Sequence, residues 1–217
     1  MPFPLPTVPT LPWRKVKGGS ATYFGAPRTE INPKTGKPYP THGACDLYAP
    51  ANTLVLAIAD GTVWQYGLFY ESWAVNKEKT VTCHQELYSL TVIHHDDELN
   101  EDYIARYGEI APNLPAELTK GGLAGKQVKA GQVIAYVGLN CAWAQMLHFE
   151  MFRDVARRDS LSVDSTPKAY PHVPWMDYQR RDDLLDPTPY LDRWALQLLE
   201  AETRKNAGRH VREVRPY

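Results

Sequence analysis

The chain has 217 residues, 43% of them hydrophobic and 23% charged, which suits one large globular domain with extensions and excludes collagen-like or wholly disordered chains. Lys+Arg 24 against Asp+Glu 25 leaves a net charge of -1, so no overall field gathers nucleic acid or an anionic membrane. The three cysteines, Cys45, Cys83 and Cys141, are widely spaced and odd in number, which speaks against a disulfide framework and a structural zinc cluster.

Residues 1–22 read as a proline-rich arm. Pro2, Pro4, Pro6, Pro9 and Pro12 alternate with short apolar stretches, an extended pattern that cannot make the apolar helix of a secretory signal. No apolar run elsewhere is long enough to span a bilayer. The expectation is a chain made in the cytoplasm and delivered by a specialised route. Lys17–Pro40, rich in Gly, Pro, Thr and Lys, reads as loop.

From Asp46 to Phe152 strands dominate: Thr53–Ala59, Thr62–Tyr66 after the Asp60-Gly61 turn signal, and Thr80–His95 as a long strand or hairpin. Tyr103–Ile110, Gln132–Gly138 and Met146–Phe152 follow, with Leu114–Gln127 as a connection. Short Gly turns favour antiparallel pairing. Alternation along Tyr103–Ile110 puts Tyr107 and Glu109 on one face. Asp154–Arg181 is irregular. Asp186-Pro187 then opens a helix from about Tyr190 to Lys205, with Leu191, Trp194, Leu198 and Ala201 at helical spacing and a basic tail behind it. The expected fold class is mainly β: an antiparallel sheet domain over residues 23–152, with residues 153–217 an irregular segment and a helical extension packed on or beside it.

His42 and Asp46 lie four residues apart just ahead of a strand, and His148 sits on a strand where positions 146, 148 and 150 face the same way. Two imidazoles and one carboxylate are a standard set for a catalytic zinc with an open fourth position. Elsewhere, His94 and His95 are consecutive on a strand and face opposite ways. Cys45, one residue before Asp46, points away from the metal and reads as a small buried thiol. Cys141 lies in the loop before the His148 strand with no visible partner.

The words around these residues come in a specific order: Phe24-Gly25-Ala26-Pro27-Arg28, His42 to Asp46-Leu47-Tyr48-Ala49-Pro50, Val55 to Asp60-Gly61-Thr62-Val63, Arg106-Tyr107-Gly108-Glu109-Ile110, Val128 to Val137-Gly138, and Leu147-His148-Phe149-Glu150. This succession, over about residues 23–152, resembles the lysostaphin/LytM-type zinc metallopeptidases, which cut peptide bonds in peptidoglycan. The resemblance implies an antiparallel β fold with an open groove and one zinc ion held by His42, Asp46 and His148. The chain departs from the family pattern twice. Met146 stands where the family has the first histidine of a His-x-His pair, and Glu109 stands where it has a second catalytic histidine. A thioether shuttles no protons, so Met146 offers packing. A carboxylate facing the metal serves as a general base, so Glu109 takes that role in the expected mechanism, with Tyr107 lining the cleft.

The expected function is zinc-dependent endopeptidase action on peptidoglycan stem peptides or cross-links, as a secreted antibacterial effector or a phage-delivered lysin. The alternative is a catalytically degenerate relative that binds cell wall or a protein without hydrolysis. Because a producer must shield its own wall, delivery by a phage tail or a contact-dependent secretion machine into a target periplasm is expected, together with a cognate inhibitor (immunity) protein.

Overall fold

The computed structural model describes residues 2–9, 13–15, 22–27, 42–97, 100–141, 144–161 and 180–213, with side chains through residue 205. Most of the loop expected over Lys17–Pro40, including Arg28, lies outside the described residues, as do residues 162–179 of the irregular segment and the side chains of the basic tail beyond residue 205.

The elements in chain order are β1 (Cys45–Tyr48), β2 (Leu54–Leu56), β3 (Gly61–Val75), β4 (Val81–Asp96), β5 (Glu101–Ile110), α1 (Ala116–Thr119), β6 (Gln127–Val128), β7 (Val133–Tyr136), β8 (Met146–Phe152), β9 (Leu184–Leu185) and α2 (Thr188–Glu213). Seven strands form one curled antiparallel sheet in the order β1-β8-β5-β4-β3-β6, with β9 on β8, and β2 pairs with β7 in a second, two-stranded sheet. The mainly β, antiparallel architecture expected from the sequence is the one the chain adopts. The strand predicted over Thr62–Tyr66 runs further, to Val75, because its pairing with β4 continues through Gly67. The helix likewise continues past Lys205 to Glu213. It opens with the Asp186 carboxylate accepting the Thr188 N–H at 2.8 Å, which satisfies one orphan donor of the first turn.

β5 and β8 lie side by side at the centre and are buried on both faces along most of their length. Their register, Ile104↔Phe152, Arg106↔Glu150 and Gly108↔His148, sorts the side chains by period two. Ala105, Tyr107, Leu147, Phe149 and Met151 point into the main core with Leu90 and Val92 of β4. That core is closed by Val55 of β2, Ile134 and Ala135 of β7, and Leu191 and Trp194 of α2. Phe3, Leu5 and Trp13 belong to it as well, so the apolar residues between the prolines are anchors. The Trp13 indole N–H donates to Asp192 of α2 at 3.1 Å, and the Leu56 N–H donates to the Pro4 carbonyl at 2.9 Å. Each such large side chain withdrawn from water contributes about 1.5–3 kcal/mol. On the opposite face Ile104, Phe152 and Leu161 make a small apolar cluster. Further along that face, past Arg106 and Glu150, the side chains become polar. No helix among the described residues is long and apolar enough to cross a membrane.

Candidate metal centre

β1 and β8 bring the polar face together. Asp46 and His148 are directly paired across the two strands, so their side chains emerge side by side. His42 arrives from the segment before β1, which residues 22–27 hold by backbone bonds: His42 N–H to the Ala26 carbonyl, Gly25 N–H to the His42 carbonyl and Asp46 N–H to the Thr22 carbonyl, each 2.8 Å. Gly108 faces His148 from β5. A Cβ there would lie 3.3 Å from the His148 side chain and 3.0 Å from the Phe69 ring, so any larger residue would press on both rings and the imidazole or the phenyl ring would have to give way by a few tenths of an ångström.

The three expected ligands converge. His42 Nε2 lies 3.1 Å from Asp46 Oδ1 and 3.3 Å from His148 Nδ1, and His148 Nδ1 lies 3.0 Å from Asp46 Oδ1. A tetrahedral zinc with bonds of about 2.0–2.1 Å requires ligand atoms roughly 3.3 Å apart, so the donor set fits zinc closely. The outer nitrogens are committed. His42 Nδ1 donates to the Tyr23 carbonyl at 3.3 Å and His148 Nε2 to Glu150 Oε1 at 2.9 Å. Carbonyl and carboxylate oxygens only accept, which fixes both tautomers and aims the lone pairs of His42 Nε2 and His148 Nδ1 at one point.

All three are at most 6% exposed, and each acts on the ionisation of the others. Burial favours a neutral Asp46, yet the His42 and His148 imidazoles outweigh it and hold its carboxyl well below the usual range. Burial also disfavours a charged His148, but bonds to Asp46 and Glu150 push it up to about 9. Glu150, which the sequence offers only as part of the Leu147-His148-Phe149-Glu150 motif, supports the site. It is fully buried, bonded to His148, and paired with Arg106 at 3.2 Å and Arg180 at 2.6 Å. Those two guanidiniums, with His148, overcome its desolvation and keep it ionised. Its signal was the i, i+2 spacing from His148 on a strand; the arginine partners come from β5 and from beyond residue 179, which no local pattern connects.

Glu109 and Tyr107 do not share a face. Tyr88↔Ile110 and Leu90↔Tyr107 are paired across β4 and β5, so Gly108 and Glu109 together oppose Ser89 in a β-bulge, and Glu109 has φ 57°. The left-handed residue turns its side chain out of the core onto the side of Asp46 and His148, where their charges act on it. Asn140 Nδ2 donates to Glu109 Oε2 at 3.1 Å and the Tyr70 hydroxyl bonds the same carboxyl. Burial pushes the Glu109 carboxyl above its ordinary range; the Asp46 charge acts the same way, while His148, Asn140 and Tyr70 partly offset it. Tyr107 stays on the core side, 0% exposed. Its oxygen accepts the Ile58 N–H at 3.2 Å, its hydroxyl meets His94 Nε2 at 2.8 Å, and its ring packs on Phe149. The expectation that Tyr107 lines the cleft is therefore corrected: the bulge adds one residue and breaks the alternation on which it rested.

Met146 is buried opposite Tyr48, two positions before His148. Cys45 points away from His42, Asp46 and His148 toward Thr188 and the Trp13 carbonyl, and burial pushes its thiol up to about 12. Cys141 is bonded to Cys83, 58 residues away in sequence, which corrects the reading of it as unpartnered.

The model of peptidase family M23 matches residues 40–160. No curated protein matches the chain. Among solved structures it is similar to a mutant catalytic domain of the prophage-encoded M23 protein EnpA from Enterococcus faecalis, with 21% identity, TM-score 0.34, and coverage of 60% of this chain and 85% of that one. It is also similar to a putative peptidase M23 from Pseudomonas aeruginosa, with 19% identity, TM-score 0.34, and coverage of 67% and 48%. Lysostaphin, in solution, gives 18% identity, TM-score 0.38, and coverage of 77% and 49%. The chain spans about half the length of these last two. The family match begins ahead of His42, ends past Glu150 and takes in more than half of the residues, and on that ground the chain belongs to peptidase family M23.

Proposed function

We propose that this chain is a zinc-dependent endopeptidase that hydrolyses peptide bonds in the stem peptides or cross-links of peptidoglycan. The observation that carries the reading is the convergence of His42 Nε2, Asp46 Oδ1 and His148 Nδ1 at tetrahedral spacing, with a buried carboxylate turned toward them by a bulge. A zinc ion held by these three residues would polarise the scissile carbonyl and acidify the attacking water. The chain's own groups do the rest. Glu150 and the Tyr23 carbonyl hold the two imidazoles in the ligating tautomer. The Glu109 carboxylate accepts the proton of the attacking water and passes it to the leaving amine, and a carboxyl raised by burial suits both halves of that transfer.

Purified protein incubated with isolated sacculi, with and without a chelator, tests this directly. New amines and shortened muropeptides by mass spectrometry, lost with the chelator and restored by zinc, are the expected result. Binding to sacculi without cleavage favours the second reading, a wall-binding relative without hydrolysis, for which the replacement of two family histidines by Glu109 and Met146 speaks. The delivery route belongs to the same proposal. The chain acts in a target periplasm, brought there by a phage particle or a contact-dependent secretion device, and a dedicated inhibitor protein guards the producer. It is then harmless when expressed in the cytoplasm and lyses or rounds cells when an added signal routes it to the periplasm.

A further inference from the structure

A base turned out of a strand by a bulge needs something to hold it, and the holder here is Asn140. It lies between β7 and β8, outside every strand, and is 3% exposed. Its two amide hydrogens are both used: Nδ2 donates to Glu109 Oε2 at 3.1 Å and to the Tyr70 hydroxyl at 2.7 Å. Its Oδ1 accepts the Ser72 hydroxyl at 2.7 Å, and the Ser72 oxygen accepts the Cys141 N–H at 3.0 Å. The hydrogen bonds thus run one way, from the Cys141 backbone through Ser72 and Asn140 to the Glu109 carboxylate. A carboxylate cannot donate, so a flipped Asn140 amide would place oxygen against oxygen. The residue that starts the relay is also the one fixed covalently, since Cys141 is bonded to Cys83 of β4.

We propose that Asn140 is the positioning residue of Glu109 and that the Cys83–Cys141 disulfide latches it, so that the chain becomes competent for hydrolysis once that bond has closed. This rests on Glu109 being the general base. Closure is thiol–disulfide exchange with a protein or low-molecular-weight disulfide. One cysteine thiolate attacks that disulfide, the second displaces the mixed disulfide, and the oxidant leaves as two thiols carrying the two electrons and two protons the cysteines give up. A reducing cytoplasm keeps the latch open and an oxidising periplasm closes it. The device thereby separates the compartment of synthesis from the compartment of action.

The test uses the full zinc-loaded chain on soluble muropeptide dimers, with kcat, KM, zinc per chain and melting temperature measured together. In Cys83→Ser/Cys141→Ser and in Asn140→Ala, kcat falls by about 10–100-fold, the scale of a displaced catalytic group, with KM and zinc content unchanged. Reduction slows the wild type by the same factor and reoxidation restores it, while the serine pair responds to neither. Ser72→Ala, which leaves the disulfide intact, gives a smaller fall in kcat and covers the case of a serine pair that does not fold. Wild-type turnover in a folded serine pair or Asn140→Ala overturns the proposal, as does loss of zinc from either. Glu109→Gln separates the two readings. If it is inactive while the serine pair is fully active, the latch alone fails. If it hydrolyses normally, the base assignment fails and takes the latch with it.

Discussion

His148 is gripped from both neighbouring strands, paired with Asp46 of β1 and with Gly108 of β5, and its outer nitrogen rests on a carboxylate clamped by two arginines. Glu109, one residue along β5 from Gly108, sits where the ladder to β4 is broken, in a left-handed conformation, and depends on Asn140 and Tyr70. The proposed metal half of the site thus rests on the uninterrupted pairing of β8 with β1 and β5, with His42 held just ahead of β1, and the proposed proton-transfer half on a local departure from such pairing. A left-handed non-glycine residue costs on the order of 1–2 kcal/mol, so the chain bears a cost at one residue to turn a carboxylate away from the apolar core that regular alternation would have faced it into. The two halves should therefore separate under mutation: one governs whether metal is bound, the other how fast a loaded site turns over.

The most severe break comes from the metal half. His148→Ala removes one of three ligands, and zinc measured by plasma emission should fall from one per chain to near none, with hydrolysis at background. Glu150→Gln is milder. It weakens the acceptor for His148 Nε2 and removes the carboxylate charge that pairs with Arg106 and Arg180. Zinc affinity, read by competition with a chromophoric chelator, should drop about 10–100-fold, while turnover at saturating zinc stays within a few-fold of wild type. The smallest effect on function is expected from Tyr107→Phe. Removing the hydroxyl strands the Ile58 N–H and His94 Nε2 in the core, so denaturant unfolding should show a loss of about 1–3 kcal/mol. kcat and KM should not change. A raised KM there would return Tyr107 to the cleft and contradict its placement in the core.

Much of the metal half was legible in the sequence because it follows regular rules. His42 and Asp46 stand at a fixed spacing before a strand, and His148 occupies one face of an alternating run, so residue type and period two sufficed. The helix was legible from Leu191 and Trp194, which are both fully buried. What escaped reading has a common physical origin in contacts between distant segments. The bulge at Gly108 and Glu109 exists only against β4, and extrapolating the alternation across it put Tyr107 on the wrong face. Cys83 and Cys141 are brought together by the fold across 58 residues, and an odd cysteine count conceals one pair and one buried thiol. Phe3 and Leu5, flanked by prolines, read only as part of an extended proline-rich arm until the core they fill is in view.

The central claim, that the metal and the proton transfer are held by separate parts of the site, is tested most directly by measuring zinc content and turnover side by side in Glu109→Gln. The amide keeps the size and much of the hydrogen bonding of the carboxylate but cannot accept the proton. The expected result is one zinc per chain, an unchanged melting temperature and a fall in kcat of about 10²–10⁴-fold. Loss of zinc would make Glu109 a fourth ligand of a closed site, and near-normal hydrolysis would remove it from the chemistry altogether; either result contradicts the division.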